Sequence, residues 1–177
     1  MKLPGIILLL CLLAGTASAS YDYTVYQPQN EDGAYYTCAD GHIMTLKNNP
    51  DAVNPTYKNL MDFLREDKTD EIEYNLDTFH CVDYAETLHN NAEEAGLRCG
   101  VVDVVYKKVY NVYTWTYDTY GHECNVFELN DGSLLYVDCV QEDSIAHVNI
   151  GDVYTVIDID DGETHTQYEI TDVHRYW

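Results

Sequence analysis

The 177-residue chain carries 9 basic against 31 acidic residues, a formal net charge of −22 at neutral pH, together with 17 tyrosines and six cysteines. A surface this acidic repels nucleic-acid phosphates and anionic lipid, so neither is an expected partner. The tyrosine content and the lack of internal repeats or low-complexity tracts exclude an acidic disordered tail and point to a folded domain.

In chain order, residues 1–19 combine Lys2, an apolar run from Ile6 to Ala14 and the small-residue end Ala17-Ser18-Ala19. That pattern predicts a secretory signal peptide cleaved after Ala19 and hence a secreted, extracellular product. The run is too short to span a bilayer and no later one is longer, so a membrane-embedded protein is not expected. A lipid anchor on Cys11 is not expected either, because bulky Leu10 precedes it. The mature chain, Ser20 to Trp177, is long enough for one domain with a substantial core, and loss of Lys2 takes its charge to −23. Five cysteines remain in it: Cys38, Cys81, Cys99, Cys124 and Cys139. An odd count in an oxidising compartment leaves one thiol over, whether as a buried free cysteine, an intermolecular bridge or a reactive group.

Residues 20–55 read as an N-terminal extended arm, polar and Tyr-rich at first and ending in the loop NNPDAVNP. A short helix from Thr56 to about Glu66 follows, with Pro55 at its first turn and Tyr57, Leu60, Met61 and Leu64 on one apolar stripe. A second helix runs from about Cys81 to Ala95, where Gly96 supplies a left-handed stop. Cys81, Ala85, Leu88, Ala92 and Ala95 form one face of mostly small residues, which implies close packing against another element. Cys81 thereby falls at the positive end of a helix dipole, a position that favours the nucleophilic thiolate.

The run CGVVDVVY, Cys99 to Tyr106, predicts a strand, and His122 to Cys139 predicts a hairpin turning at Asn130-Asp131-Gly132. The aromatic stretch between them reads as a hairpin-like excursion or long loop, with Tyr113, Trp115 and Tyr117 on one face. Val153 to Ile170 predicts a C-terminal hairpin turning at Asp161-Gly162, and the acidic run there lacks the spacing of a calcium loop. The fold class is α+β, helices on an antiparallel sheet.

Reach brings three side chains together. A fifteen-residue helix is roughly 22 Å long and the strand after it returns about as far. His122 then lies near the helix start, and the next strand carries Asp138 back to the same end. The expected roles are Cys81 as nucleophile, His122 as the base that removes and later returns a proton, and Asp138 as the carboxylate that orients the imidazole and stabilises its cationic form. The backbone N–H of Cys81 is an oxyanion donor, with Tyr74 and Asn75 as candidates for a second. Parity demands a three-residue turn with left-handed Gly132 if His122 and Asp138 are to face each other. The same parity separates Cys124 from Cys139, while Cys99 looks distant from both, so the disulfide connectivity stays open. His80 and His89 are not expected to act, and His42, His147, His165 and His174 lack partners at ligand spacing. No metal and no cofactor is expected.

The stretches FHCVDYAETLHNNAEEAGLRCGVV, GHECNVFEL and DGSLLYVDC resemble the three blocks of the transglutaminase-like superfamily, in the order Cys, His, Asp. The variant carrying LHNNAE is similar to a group of archaeal transglutaminase-like proteins. The resemblance covers Thr56 to Cys139 and implies a papain-like arrangement over residues 56–177, with the cysteine-bearing helix packed on an antiparallel sheet. It implies chemistry through an acyl-thioester on a protein or peptide amide, a cell-envelope one included, by a thiol acyltransferase or a cysteine peptidase-like hydrolase. A non-catalytic binding module on the same scaffold, using the aromatic excursion, is the alternative.

Overall fold

The computed structural model describes residues 22–177 apart from Thr114 and Thr119; the expected signal peptide, 1–19, lies outside the described residues. Two short strands, β1 (Thr24–Tyr26) and β2 (Leu46–Asn48), pair in the arm, and helices α1 (Tyr57–Glu66) and α2 (Cys81–Glu94) follow. Then come β3 (Gly100–Tyr106), β4 (Val109–Asn111), β5 (Thr116–Asp118), β6 (Gly121–Glu128), β7 (Leu134–Asp138), β8 (Ser144–His147), β9 (Val153–Asp158) and β10 (Thr164–Tyr176). The fold is α+β with antiparallel pairing throughout the main sheet. Among the described residues no helix is long and apolar enough to cross a membrane.

The sheet is not open. Strands β10-β3-β6-β7-β8-β9 close into a six-stranded barrel. Closure depends on β10 running on to Tyr176, past the expected end at Ile170, so that it pairs with β9 through its first half and with β3 through its second. Register shifts at Thr166/Glu169 and Ile170/Asp172 mark where it bends from one neighbour to the other. Val102, Val104, Cys124, Val126, Tyr154, Val156 and Ile170 fill the interior.

Helix packing outside the barrel follows from local chemistry. The Thr56 hydroxyl caps α1 by accepting from Asn59 N–H at 3.1 Å, so Pro55 lies one residue before the cap rather than in the first turn. Leu60, Met61 and Leu64 are buried, whereas Tyr57 is exposed and leaves the stripe. Helix α2 ends as expected: Gly96 has φ +80°, and the N–H groups of Gly96 and Leu97 bond Glu93 and Ala92 carbonyls at 3.0 and 2.9 Å. Its small face admits β6 so closely that Asn125 Nδ2 donates to the Ala85 carbonyl at 2.9 Å. Leu88 and Ala92 pack with the outward-facing Phe127, Val137 and Cys139.

The arm lies along the other side of α2, where Cys38, Met44 and Leu46 pack on Val82 and Ala85. Polar ties fix it there, including Lys47 N–H to Asn90 Oδ1 at 2.8 Å and Asn49 N–H to the buried Glu93 carboxylate at 2.8 Å. The aromatic excursion is the β4–β5 hairpin. Its turn holds Tyr113 and Trp115, both strongly exposed, so these two do not share a strand face as expected. All five described cysteines are free thiols. An odd thiol left over by pairing therefore does not distinguish Cys81; its surroundings do.

Candidate active site

Cys81 is the first residue of α2, directly after its cap. His80 closes that end, its ring Nδ1 accepting from Val82 N–H at 3.3 Å while its own N–H bonds Asp83 at 3.1 Å. His80 is thus occupied as a cap. The Cys81 thiol donates to Glu123 Oε2 at 2.8 Å, and the His122 imidazole is near enough to act on its pKa. Burial pushes its pKa up, the imidazole pulls it down, and the Glu123 charge pushes it up again, with a net rise. The thiol is held protonated at rest.

Behind the thiol, His122 Nε2 meets Asp138 Oδ2 at 2.7 Å, both residues buried. The pair forms because the β6–β7 turn has the required length. The register runs from Asn125↔Val137 to Glu128↔Leu134, leaving Asn130-Asp131-Gly132 as a three-residue loop with Gly132 at φ +84°. His122 and Asp138 consequently share the interior face. The Tyr154 hydroxyl donates to the same Asp138 oxygen at 2.8 Å, and Val140 N–H donates to the other at 3.2 Å. The Tyr154 ring also meets the imidazole edge-on at 5.4 Å.

Burial alone would lower the His122 pKa, but the Asp138 charge and hydrogen bond outweigh it and leave it well above the usual value. Burial likewise raises Asp138, and His122 together with Tyr154 brings it below the ordinary carboxylate range. The two form an imidazolium–carboxylate pair at neutral pH. With Nε2 committed to Asp138, the other ring nitrogen, Nδ1, is the one left for exchange with the thiol or a substrate. A cleft opens beside the pair, bordered by Val140, Gln141, Ser144, Val156 and Gln167. A second cleft of similar size sits at the other end of α2, around Asn49, Glu93, Arg98 and Trp177, and touches none of these groups.

No known family matches the chain, and no curated protein or solved structure does either.

Of the three expected residues, His122 and Asp138 pair directly, while the Cys81 thiol bonds Glu123 and feels the His122 charge from α2; two further groups join them. Glu123 follows His122 in sequence, so strand parity sends it to the outer face, where α2 presents the thiol; nothing in the local pattern marks a second group for the same sulfur. Tyr154 comes from β9, which pairs with neither β6 nor β7. Of the oxyanion candidates, Asn75 is held in its own loop, its backbone N–H donating to the Phe79 carbonyl at 2.8 Å and its Oδ1 accepting from Asp77 N–H at 2.9 Å. Tyr74 stacks on Tyr84, and its pKa is raised by burial first and then by the Cys81 and Glu123 charges. His89 is buried, with Nε2 at 3.0 Å from Asn48 Oδ1 and its pKa lowered to about 4 by desolvation, a packing role. Asp158 Oδ1 accepts from Asp160 and Asp161 N–H at 2.8 and 2.7 Å, so it closes the hairpin turn. The solvent-side histidines do have partners: His147 meets Asp152, His165 meets Glu142 and Glu163, His174 meets Asp172, and His42 meets Asp40 and Glu86.

Proposed function

We propose that the protein is a secreted cysteine-dependent acyl enzyme of papain-like, transglutaminase-like character that acts on protein or peptide amides. The observation that carries this reading is the buried His122–Asp138 pair at 2.7 Å, with the Cys81 thiol of a helix N-terminus bonded at 2.8 Å to Glu123, the strand neighbour of His122. A cysteine-bearing helix against an antiparallel barrel is compatible with the resemblance of the three sequence blocks.

The steps follow from the protonation states. The Cys81 thiol gives its proton to Glu123, leaving a thiolate beside an imidazolium. The thiolate attacks the amide carbon, and the Cys81 N–H together with the Tyr74 hydroxyl faces the developing oxyanion. Collapse breaks the C–N bond, His122 protonates the leaving amine, and a thioester remains. The neutral imidazole then takes a proton from water or an incoming amine, which attacks the thioester. The departing thiolate recovers its proton from Glu123. In this sequence His122 acts first as acid, because Asp138 already holds it charged.

A peptide-amide substrate tests the proposal: intact-mass measurement should find one acyl group on Cys81, and none in His122→Ala. A chain that turns over amides without such an adduct refutes it. The exposed Trp115, 79% accessible at the β4–β5 tip, favours the second reading, a binding module for an envelope polymer or protein. Ligand retention lost in Trp115→Ala but kept in Cys81→Ala, with no turnover, would select it.

A further inference from the structure

A second cluster of sulfur, imidazole and carboxylate lies one turn along α2, where the arm crosses it. Cys38 and His42 face each other across a tight turn closed by Cys38 N–H to His42 C=O at 2.9 Å and Gly41 N–H to Cys38 C=O at 2.9 Å. Both side chains converge on a single oxygen of α2. Cys38 Sγ and His42 Nε2 each stand 2.9 Å from Glu86 Oε2. The three ligand atoms all lie within 4.8 Å of one another.

We propose that Cys38, His42 and Glu86 form a zinc site that clamps the N-terminal arm to α2. Thiolate, imidazole and carboxylate form a borderline-soft donor set suited to tetrahedral zinc rather than to calcium or magnesium. Donors bonded to one zinc stand roughly 3.3–3.6 Å apart, so the two 2.9 Å separations need to lengthen only slightly. His42 and Glu86 both line a cleft shared with Phe79, Thr87 and Asn90, through which water can supply a fourth ligand.

The surrounding bonds are those that orient metal ligands. His42 Nδ1 is paired with Asp40, which fixes the ring with Nε2 outward. Glu86 Oε1 accepts from Thr45 N–H at 3.1 Å, leaving Oε2 for the ion. Asp83, the remaining acid here, is engaged by Ala39 and His80 N–H groups at 3.0 and 3.1 Å and stays outside the ligand set. Cys38 itself is 3% exposed, beside Glu86, Asp83 and Asp40. That setting disfavours a thiolate unless a cation joins it. Binding is a proton exchange: the ion displaces one proton from the thiol and one from His42 when it is charged, and both pass to solvent. Affinity therefore rises with pH. The C-x₃-H spacing of Cys38 and His42 was in the sequence; Glu86, 48 residues from Cys38, was not readable as their partner. The expectation of no metal is revised accordingly.

Cobalt(II) serves as the probe, added to the full mature chain under reducing conditions. The expected result is one ion per chain with a thiolate-to-cobalt charge-transfer band, competed away by zinc. Cys38→Ser should abolish the band and Cys81→Ser should keep it, which separates this site from the acyl site. His42→Ala, at a half-exposed position that folding tolerates, should weaken binding at least about tenfold, and Asp40→Asn by about tenfold. A band absent from the parent chain, or one that persists in Cys38→Ser or at full affinity in His42→Ala, overturns the proposal.

Discussion

Two thiols flank the start of α2, and each donates to a glutamate: Cys81 to Glu123 at 2.8 Å and Cys38 to Glu86 at 2.9 Å. Each glutamate has a histidine beside it, and each histidine is paired with an aspartate, His122 with Asp138 and His42 with Asp40. The same four residue types thus occur twice. What differs is the geometry. At Cys81 the imidazole is buried behind the thiol, its Nε2 spent on Asp138, and the sulfur begins a helix. Protons can move there along the single line from sulfur to carboxylate, beside the imidazole charge. At Cys38 the half-exposed imidazole points its Nε2 at the same oxygen as the sulfur, so three donors close on one point. Convergence suits an ion, and a line suits proton transfer.

The largest expected effect separates the two. Cys81→Ser should lower acylation by roughly 10⁴-fold or more, with the adduct followed by intact mass, whereas the adduct should survive Cys38→Ser. His122→Ala comes next, with a loss of roughly 10²- to 10⁴-fold in the acylation rate. Glu123→Gln should cost about 10²-fold and should also reshape the pH profile. Burial raises the Glu123 pKa against the lowering contacts of Cys81 and His122. The acid limb of the parent should therefore lie above the ordinary glutamate value and vanish in the variant, while the alkaline limb reports loss of the His122 proton.

Stability gives a smaller but independent measure of the interior pair. Asp138 titrates below its unfolded value, so its contribution is present above about pH 4 and is lost as pH falls through the folded pKa. His122 titrates above its unfolded value, so its contribution is complete below about pH 6.5 and is lost as pH rises through the folded pKa. The pair stabilises most between those limits. Asp138→Ala should remove roughly 3–5 kcal/mol there, read by urea unfolding at pH 6.

The smallest effect lies away from both thiols. Asp143 is raised to about 7 by desolvation and by Asp70, Asp67, Asp160 and Asp158. Its raised folded pKa means the native state holds the proton more tightly, so stability falls as pH rises from about 4 toward 7. Asp143→Asn should recover about 1–2 kcal/mol at pH 8 after allowance for solvent screening, with little change at pH 4.

Much of this frame was legible because it is local. The bounds of α2 follow from its small-residue face and Gly96, and the facing of His122 and Asp138 follows from counting residues through the turn at Gly132. Barrel closure was not legible. It depends on Tyr176 pairing with Val101 across the whole domain, and on β8, only four residues long with no clear alternation to mark it. Glu123 was not legible because strand alternation does not mark the neighbour of a histidine as a second partner of a helix thiol. The His42 cluster was not legible because Glu86 sits on another element.

The central claim is that Cys81 is the activated sulfur, and site-resolved alkylation of the native chain tests it most directly. With iodoacetamide near neutral pH and each cysteine quantified by peptide mass, Cys81 should react well ahead of Cys38, Cys99, Cys124 and Cys139, and His122→Ala should erase that lead. Equal rates at all five, a lead that survives His122→Ala, or Cys81 recovered in a disulfide would contradict it.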